Sequence, residues 1–496
     1  MLPRFSTGNL RKRPLYHLLM PFIFRYWRHR KRYHNTHQAD SIQRGVIRVG
    51  KLQHAAWPFV PLGSNLFDRL EIVRAEGAYL YSRDGQKILD ASAGAAVGNI
   101  GWGRQEVAAA ASASLAELTY TLPPFATPDR LALAERLARD WLPGEMPGVG
   151  FFGSGSEANE GAMRLARQYQ LARGRSSRWK IIGRDVSYNG TTLATLGVGG
   201  HTSRRAGYEP MLRDMPRATA CYCLRCPLEK SYPSCQVACA TGLEALIENE
   251  GADTIAGFLA EPITGTSGGA LIPPDEYWPA IVDICKRHDI VLIADEVLTG
   301  FGRTGERMAV NHWNIEPDIM VLGKGMSGGY AAMSAIATRK HIPDAMTAAG
   351  IAPMFHTYSG HPTQCAAACK VLEIVEREKL VERVQQLGPV LEQKLRTLQD
   401  HPNVAEVRGK GFFYAVEIVR DKQSLKTYPT DAGVTFKMME ATVSRGVFTY
   451  FGGTGPVRDI INVAPPFIID ENEMDLIVSA LHEAITEVCT RAEQAG

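Results

Sequence analysis

Three chemically reactive side chains each follow a short apolar run. Glu261 follows residues 255–260, Asp295 follows residues 290–294, and Lys324 follows residues 319–322 after a single glycine. A lysine at the end of a buried strand is costly to desolvate, so its usual place is the solvated surface. Burial lowers the pKa of an amine, which suits a lysine that forms a Schiff base with a carbonyl compound. The spacing therefore predicts amine chemistry at Lys324, with carboxylates nearby.

The apolar runs predict the elements that position these side chains. Continuous apolar runs without alternation are typical of strands buried on both faces, as in a parallel sheet covered by helices. Ligands of such sheets bind at the carboxyl ends of the strands. We therefore expect Glu261, Asp295 and Lys324 to meet at one edge of the sheet.

A glycine-rich turn predicts a fourth part, an anion site. Residues 151–160 read as a strand end, a turn through Ser154, Gly155 and Ser156, and a helix start. Ser156 followed by Asn159-Glu160 is near the pattern of a capping box. Small residues let backbone N–H groups approach an anion, and the helix dipole favours negative charge there. Because a Schiff-base lysine and an acid are predicted nearby, we expect the anion bound at this turn to be a phosphate group.

One cofactor uses all of these parts, namely pyridoxal 5′-phosphate (PLP). Asp295 would keep the pyridine nitrogen protonated, so that the ring remains an electron sink. Tyr188 is placed to stack on one face of the ring. Val297, two residues after Asp295 on an extended chain, would pack on the other face.

From about Trp57 to the C-terminus, the chain resembles the class III (ω-type) PLP-dependent aminotransferases of fold type I. The matching segments are residues 153–160, 187–190, 260–262, 292–305, 323–325, 356–362, 407–411 and 464–467. The resemblance implies an α/β fold, with a large domain around a mostly parallel sheet and a smaller α+β domain formed by both chain ends.

The resemblance also implies residue roles. Lys324 would hold the cofactor as a Schiff base and carry a proton to and from the substrate, while Asp295 would pair with the pyridinium nitrogen. Asn189 stands where relatives usually have histidine, and it should keep a hydrogen-bonding side chain there. The implied cofactor-binding set is Ser154, Gly155, Ser156, Tyr188, Asn189, Glu261, Asp295, Val297, Lys324 and Thr357.

Thr357 has a special place in that set. The resemblance implies that it reaches the phosphate of the neighbouring subunit's cofactor. This predicts a homodimer with shared active sites, with a tetramer as the alternative.

The implied reaction moves an amino group from an amine to a 2-oxo acid such as pyruvate by ping-pong chemistry. Ala95 and Ala96 stand near positions where pyruvate-dependent relatives often carry a bulky residue, so the pocket should be open. Arg458 is either the carboxylate-binding arginine at a shifted position or a solvated loop residue, and Trp57 is a further substrate candidate. We expect a donor that is long, bulky or without an α-carboxylate. The alternative is a PLP-dependent decarboxylase or aminomutase.

The predicted organisation has four parts. Residues 1–39 form a basic N-terminal extension, residues 40–100 the first part of the small domain, residues 101–365 the large domain, and residues 366–496 a linker helix with the rest of the small domain. A strand is predicted over residues 412–418 and a closing amphipathic helix over residues 473–492.

Composition is that of a soluble globular enzyme, with 45% apolar and 22% charged residues and a net charge of +3. Residues 1–39 contain lysines and arginines but no acid. We expect a poorly ordered extension on a cytoplasmic protein, with mitochondrial targeting or peripheral membrane contact as alternatives. Without a recognised binding module, the charges do not support nucleic-acid binding.

Cysteines are concentrated in one insertion, residues 220–240, which holds five of the nine. The pairs Cys223/Cys226 and Cys235/Cys239 have spacing compatible with a structural zinc. The alternative is a set of reduced cysteines in an irregular segment.

Overall fold

The computed structural model describes residues 70–495. The predicted extension 1–39, the beginning of the 40–100 segment and Trp57 lie outside the described residues. Predictions about them therefore stay predictions.

The strands lie in three sheets. The strands are β1 Ile72–Glu76, β2 Tyr79–Ser82, β3 Lys87–Asp90, β4 Gly148–Phe152, β5 Lys180–Arg184, β6 Arg217–Ala218, β7 Ile255–Ala260, β8 Val291–Asp295, β9 Ile319–Leu322, β10 Ser334–Thr338, β11 Val404–Lys410, β12 Phe413–Ile418, β13 Val447–Phe448, β14 Tyr450–Thr454 and β15 Val457–Val463.

Helices cover the sheets. After a short helical turn at Ala93–Ala96 they are α1 Gln105–Glu117, α2 Pro128–Arg136, α3 Gly155–Ala172, α4 Leu193–Val198, α5 Thr202–Arg205, α6 Ala238–Glu250, α7 Tyr277–Arg287, α8 His341–Ala348, α9 Pro362–Arg377, α10 Leu380–Arg396, α11 Val434–Ser444 and α12 Glu471–Ala495.

The central sheet has the order β4-β10-β9-β8-β7-β5-β6. Strand β10 runs antiparallel to both β4 and β9, and the other neighbouring pairs of this sheet are parallel, so the predicted mostly parallel sheet is confirmed. Every residue of β7, β8 and β9 is buried, as their uninterrupted apolar sequences indicate. Ala260 pairs with Ala294, and Asp295 pairs with Val321, so the carboxyl ends of these strands lie nearly level.

The two smaller sheets account for the predicted α+β part. One has the order β1-β2-β3-β13, and the other is antiparallel with the order β11-β12-β15-β14. Val447 of β13 pairs in parallel with Leu89 of β3, so segments from both ends of the described chain share a sheet. The predicted strand over residues 412–418 is observed as β12, and the predicted closing helix as α12.

The described chain forms one compact unit from Leu70 onward, so the predicted boundary at residue 365 stays a prediction. Within residues 70–495, no helix combines the length and the apolar character that crossing a membrane requires.

The structure gives no support to the zinc interpretation of the cysteine-rich insertion. Cys221, Cys223, Cys226, Cys235 and Cys239 line one cavity of only about 20 Å³. The Cys221 thiol contacts the thiols of Cys223 and Cys239. Within residues 70–495, no three His, Cys, Asp or Glu side chains are arranged to hold a metal ion. Among the described residues the zinc interpretation of Cys223, Cys226, Cys235 and Cys239 therefore finds no support, and reduced cysteines in an irregular segment stay the other prediction.

Candidate active site

A cavity of about 330 Å³ lies at the carboxyl ends of the central strands. It brings together most of the residues that the sequence predicts for a site. These are Ala95, Ser154, Gly155, Ser156, Tyr188, Asn189, Glu261, Asp295, Val297 and Lys324. Because the ends of β7, β8 and β9 are level, Glu261, Asp295 and Lys324 reach one space.

Lys324 begins the turn that follows β9. Its backbone lies in the left-handed region, with φ of 43°, a strained conformation for a residue with a side chain. Burial lowers the pKa of its amine to about 8, and the charge of Arg303 acts in the same direction, whereas Asp295 and Glu261 oppose the shift. Within residues 70–495 the Lys324 amine has no hydrogen-bond partner. The Lys324 amine therefore lines the cavity and is available to react with a ligand.

Asp295, the last residue of β8, is fixed by three hydrogen bonds. Its Oδ2 accepts from the side-chain amides of Asn159, at 2.9 Å, and Asn189, at 2.7 Å. Its Oδ1 accepts from the backbone N–H of Val297 at 3.1 Å. Burial raises the pKa of Asp295, and these hydrogen bonds partly offset that effect. A buried carboxylate held in this way is suited to pair with a cationic ring nitrogen.

The predicted anion turn begins helix α3, but its cap differs from the prediction. The N-cap is Ser154, whose Oγ accepts from the Glu157 N–H at 3.3 Å. The Glu157 carboxylate in turn accepts from the Gly153 N–H at 2.7 Å. The capping box is thus Ser154-x-x-Glu157, not one beginning at Ser156, because the chain is still extended at Ser154.

Two glycines at this turn lie where a side chain would meet its neighbours. A Cβ on Gly155 would lie 3.1 Å from the Val297 side chain, and a Cβ on Gly190 would lie 2.6 Å from the Ser156 Oγ. Gly190 also has φ of 137°, which disfavours other residues. The dipole of α3, an 18-residue helix, adds partial positive charge at this end.

Glu261 orders the loop that carries the aromatic platform. Its carboxylate accepts from the backbone N–H groups of Gly265, at 3.0 Å, and Tyr188, at 3.4 Å. The buried Arg184 donates to the Glu261 carbonyl at 2.8 Å. Burial raises the pKa of Glu261 to about 7, and the Arg184 charge opposes that shift. Glu261 therefore contributes to the site by fixing the position of the loop that carries Tyr188.

Comparison with known proteins now identifies the family. The model of the aminotransferase class-III family matches residues 63–485, most of the chain. The chain is a class III aminotransferase. The cofactor of this family is PLP, and the substrates are an amine and a 2-oxo acid.

Similar proteins extend over most of this aminotransferase. The uncharacterised aminotransferase YhxA of Bacillus subtilis is 37% identical over 456 residues, covering 90% of this chain and 99% of the relative. The putrescine–pyruvate aminotransferase of Pseudomonas aeruginosa is 34% identical and covers 84% of this chain and 90% of its own length. A PLP-bound amine transaminase from an uncultivated Pseudomonas species superposes with a TM-score of 0.81 at 35% identity, covering 87% of this chain and 98% of the other.

Unsatisfied groups in the cavity of this aminotransferase fit PLP. The carbonyl oxygens of the Asn159 and Asn189 side chains are buried without a hydrogen-bond partner. Lys324 supplies an amine that can react with the aldehyde of PLP, and Asp295 supplies a carboxylate for the ring nitrogen. The backbone at the start of α3 supplies a binding site for the phosphate. Buried polar groups are rarely left unpaired, so a polar ligand is expected here.

The Lys324 pKa predicts how cofactor attachment depends on pH. The neutral amine is the nucleophile, and a pKa of about 8 means that this form dominates above that pH. We expect the rate at which PLP attaches to cofactor-free protein to rise up to about tenfold per pH unit below pH 8 and to level off above it. Stopped-flow absorption at constant PLP checks this. The control is a free alkylamine, whose rate should still rise at pH 9, since its pKa is above about 10. A protein rate that rises in parallel with the control contradicts a lowered Lys324 pKa.

The structure does not bring Ala96 and Arg458 to the cavity. Ala96 is buried among apolar residues such as Val186 and Tyr222. Arg458 donates to the Thr430 hydroxyl at 2.8 Å and to a backbone carbonyl of the same segment. The structure therefore gives no support to substrate contact by Ala96, and of the two interpretations of Arg458 it does not support the carboxylate-binding one. The sequence pattern does not show where these two residues lie, because their neighbours in the fold are far away in sequence.

Thr357 also lies outside the cavity of its own chain. It is exposed, and its carbonyl accepts from the Tyr120 hydroxyl at 3.0 Å. The role predicted for it involves a second subunit, and it stays a prediction.

Sequence reasoning missed several residues of the cavity wall. Asn159 is a polar residue on the otherwise apolar face of α3, which is a signal that the sequence does contain. The other missed residues come from loops, from β14 and from the short helix α5, none of which shows such a pattern. They are Gly190, His201, Arg204, Gly265, Thr266, Leu298 and Tyr450.

Proposed function

We propose that this aminotransferase transfers the amino group of a bulky or long-chain amine without an α-carboxylate to a 2-oxo acid such as pyruvate. The donor class is inferred from the small side chain of Ala95 on the wall of the cavity, which leaves room for a large group. A similar protein, the putrescine–pyruvate aminotransferase, supports both halves of the proposal, since putrescine has no carboxylate.

The side chains of this enzyme divide the work. PLP, when bound, supplies an electron sink for negative charge at the substrate Cα. Asp295 would hold a proton on the ring nitrogen, and Tyr188 and Val297, which line the same cavity, would hold the ring. Lys324 would hold the cofactor through its aldehyde, and its Nζ, once free, would take the proton from the substrate Cα. The same Nζ would carry that proton to the C4′ atom of the cofactor.

We also propose that the enzyme is a homodimer in which Thr357 reaches the phosphate site of the partner subunit. Thr357 is exposed and lies beside large apolar side chains that are also exposed in the single chain, namely Met354 (59%), Phe355 (51%) and Tyr358 (65%). Such a group of exposed apolar residues is typical of a protein interface.

The donor class is tested by narrowing the cavity at Ala95. Its φ of −134° lies outside the left-handed region that favours glycine, so a larger side chain is compatible with this φ. We expect Ala95→Phe to slow the reaction of 1-phenylethylamine by roughly tenfold to a hundredfold, because the bulky group loses its space. Isopropylamine should stay within about twofold of wild type, and Ala95→Val should be intermediate.

The assay follows the visible absorption of bound PLP. An amine donor should bleach the band, and pyruvate should restore it. Equal loss of activity with both amines in Ala95→Phe would contradict the proposed donor pocket. Bleaching that no 2-oxo acid reverses would favour the decarboxylase or aminomutase alternative.

A further inference from the structure

Three thiols of the cysteine-rich insertion form a cluster that reaches the protein surface. The thiol of Cys221 contacts the thiols of both Cys223 and Cys239. Cys221 is buried, Cys239 is half-buried and Cys223 is exposed. The thiol cluster (Cys221, Cys223 and Cys239) therefore connects a buried sulfur atom with one that a small solute can reach.

The fold holds the segments that carry these thiols. The hydroxyl of Tyr222, which lies between Cys221 and Cys223 in the sequence, donates to the buried carboxylate of Glu417 at 2.6 Å. On the other segment, Ala240 follows Cys239 in helix α6 and is fully buried in the core. The contacts between the thiols are therefore set by the packing of both segments.

The contacts within the thiol cluster divide its protons unequally. The hydrogen bond with Cys221 lowers the pKa of Cys223 to about 7, although burial opposes this shift. The hydrogen bond with Cys221 also lowers the pKa of Cys239, which lies in the first turn of α6, where the helix dipole favours a thiolate. The same two hydrogen bonds raise the pKa of Cys221, so this thiol keeps its proton. An exposed, readily ionised thiol thus lies against a second thiol, as in redox-active cysteine pairs.

Cysteines outside the insertion have the opposite properties. Cys285, Cys365 and Cys489 are buried, and burial raises the pKa of each thiol. Cys369 is half-buried, and burial raises its pKa to about 11. These four thiols stay protonated at neutral pH, so they react slowly with oxidants and provide an internal comparison for the thiol cluster.

We propose that the thiol cluster is a redox site at which a hydroperoxide oxidises Cys221 and Cys239 to a disulfide. This bond would join the segment that follows β6 to the first turn of α6 and so close the insertion. Because the cluster reaches the surface at Cys223, thiol exchange with a dithiol can reverse the bond. The inference goes beyond the proposed function, since none of the three thiols lines the cavity that contains Lys324.

The oxidation has three balanced steps. The Cys223 thiolate attacks the hydroperoxide, so that an S–O bond forms, the O–O bond breaks, and the leaving alkoxide takes a proton from water and departs as an alcohol. Cys221 then attacks the sulfur of the Cys223 sulfenic acid, an S–S bond forms, and the oxygen leaves with the Cys221 proton as water. Finally the Cys239 thiolate attacks the Cys221 sulfur, and Cys223 leaves as a thiolate. Cys221 and Cys239 together give up the two electrons that reduce the hydroperoxide.

Peptide mapping of the full-length, PLP-loaded enzyme tests the redox site. Trypsin places Cys221 and Cys239 on different peptides, residues 218–225 and residues 231–286. The enzyme would be treated with hydrogen peroxide, its remaining thiols blocked with iodoacetamide in denaturant, and the digest examined by mass spectrometry. We expect these two peptides to become linked, at least about tenfold above the untreated level, and to separate again after dithiothreitol. Cys285, which lies on the second peptide, should be recovered with the iodoacetamide label.

Three substitutions identify the reacting thiols. Cys239→Ser should abolish the link and leave a disulfide between Cys221 and Cys223 within the peptide 218–225. Cys223→Ser should slow formation of the link by at least about tenfold, because it removes the exposed thiolate. Cys226→Ser is the matched control, since it removes a thiol that lines the same small cavity, and the link should form within about twofold of the wild-type rate.

Several results would overturn the proposal. The first is a wild-type enzyme whose two peptides stay unlinked at every peroxide concentration that leaves Cys285 reduced. A link that persists in Cys239→Ser would assign the bond to another cysteine, and an unchanged rate in Cys223→Ser would remove the first step. Zinc bound in an amount equal to the enzyme, with thiols that peroxide does not oxidise, would also contradict a redox site.

Discussion

Lys324→Ala is expected to abolish turnover, with a loss of more than about 10⁴-fold in kcat. The variant removes the amine that holds PLP and also the Nζ that moves the Cα proton, so two functions disappear together. No other lysine lines the cavity among the described residues, so none can replace it. Initial rates with a saturating amine and pyruvate, measured with added PLP, give the size of the loss.

A matched control is Lys340→Ala. Lys340 is exposed and precedes α8, and it does not line the cavity. It should retain wild-type activity. Turnover by Lys324→Ala near the wild-type level would remove the basis of the proposed mechanism.

Asp295→Asn is expected to cause the second largest loss, roughly a hundredfold to a thousandfold in kcat. The change keeps the shape of the side chain but removes the negative charge that holds a proton on the ring nitrogen. The Asn159 and Asn189 amides can still donate to the new carbonyl oxygen, so PLP should still bind.

Thermal unfolding distinguishes this effect from damage to the fold. Burial raises the pKa of Asp295, which means that the fold tolerates a neutral group there better than a charged one. The substitution can remove the hydrogen bond that the Val297 N–H donates to Oδ1 of Asp295. Loss of this one bond should change Tm by no more than about 5 °C. The exposed Asp275 supplies the control Asp275→Asn, which should retain full activity. Near-normal kcat in Asp295→Asn would contradict the assigned role.

The sequence predicts best what depends on local pattern. The uninterrupted apolar runs before Glu261, Asp295 and Lys324 indicate buried parallel strands, and the structure has β7, β8 and β9 there with level ends. Parallel pairing brings the carboxyl ends of neighbouring strands to one edge, so the meeting of these side chains follows from the strand assignment alone.

Residues whose place depends on tertiary contacts are predicted less well. Arg458 lies outside the cavity and donates a hydrogen bond to Thr430, which is remote in sequence. Arg204 gives no local signal, since a basic residue in a short exposed helix is ordinarily a surface residue. It reaches the cavity through the contact of its helix with β14, which a linear pattern does not reveal.

The central claim is that Lys324 is the residue that carries PLP, and covalent trapping tests it most directly. The PLP-loaded enzyme would be reduced with sodium borohydride, digested and examined by peptide mass spectrometry. The account predicts a pyridoxyl phosphate group on the peptide that contains Lys324, and no such group when borohydride is omitted. A label on another lysine, or bound PLP that borohydride attaches to no lysine, would contradict it.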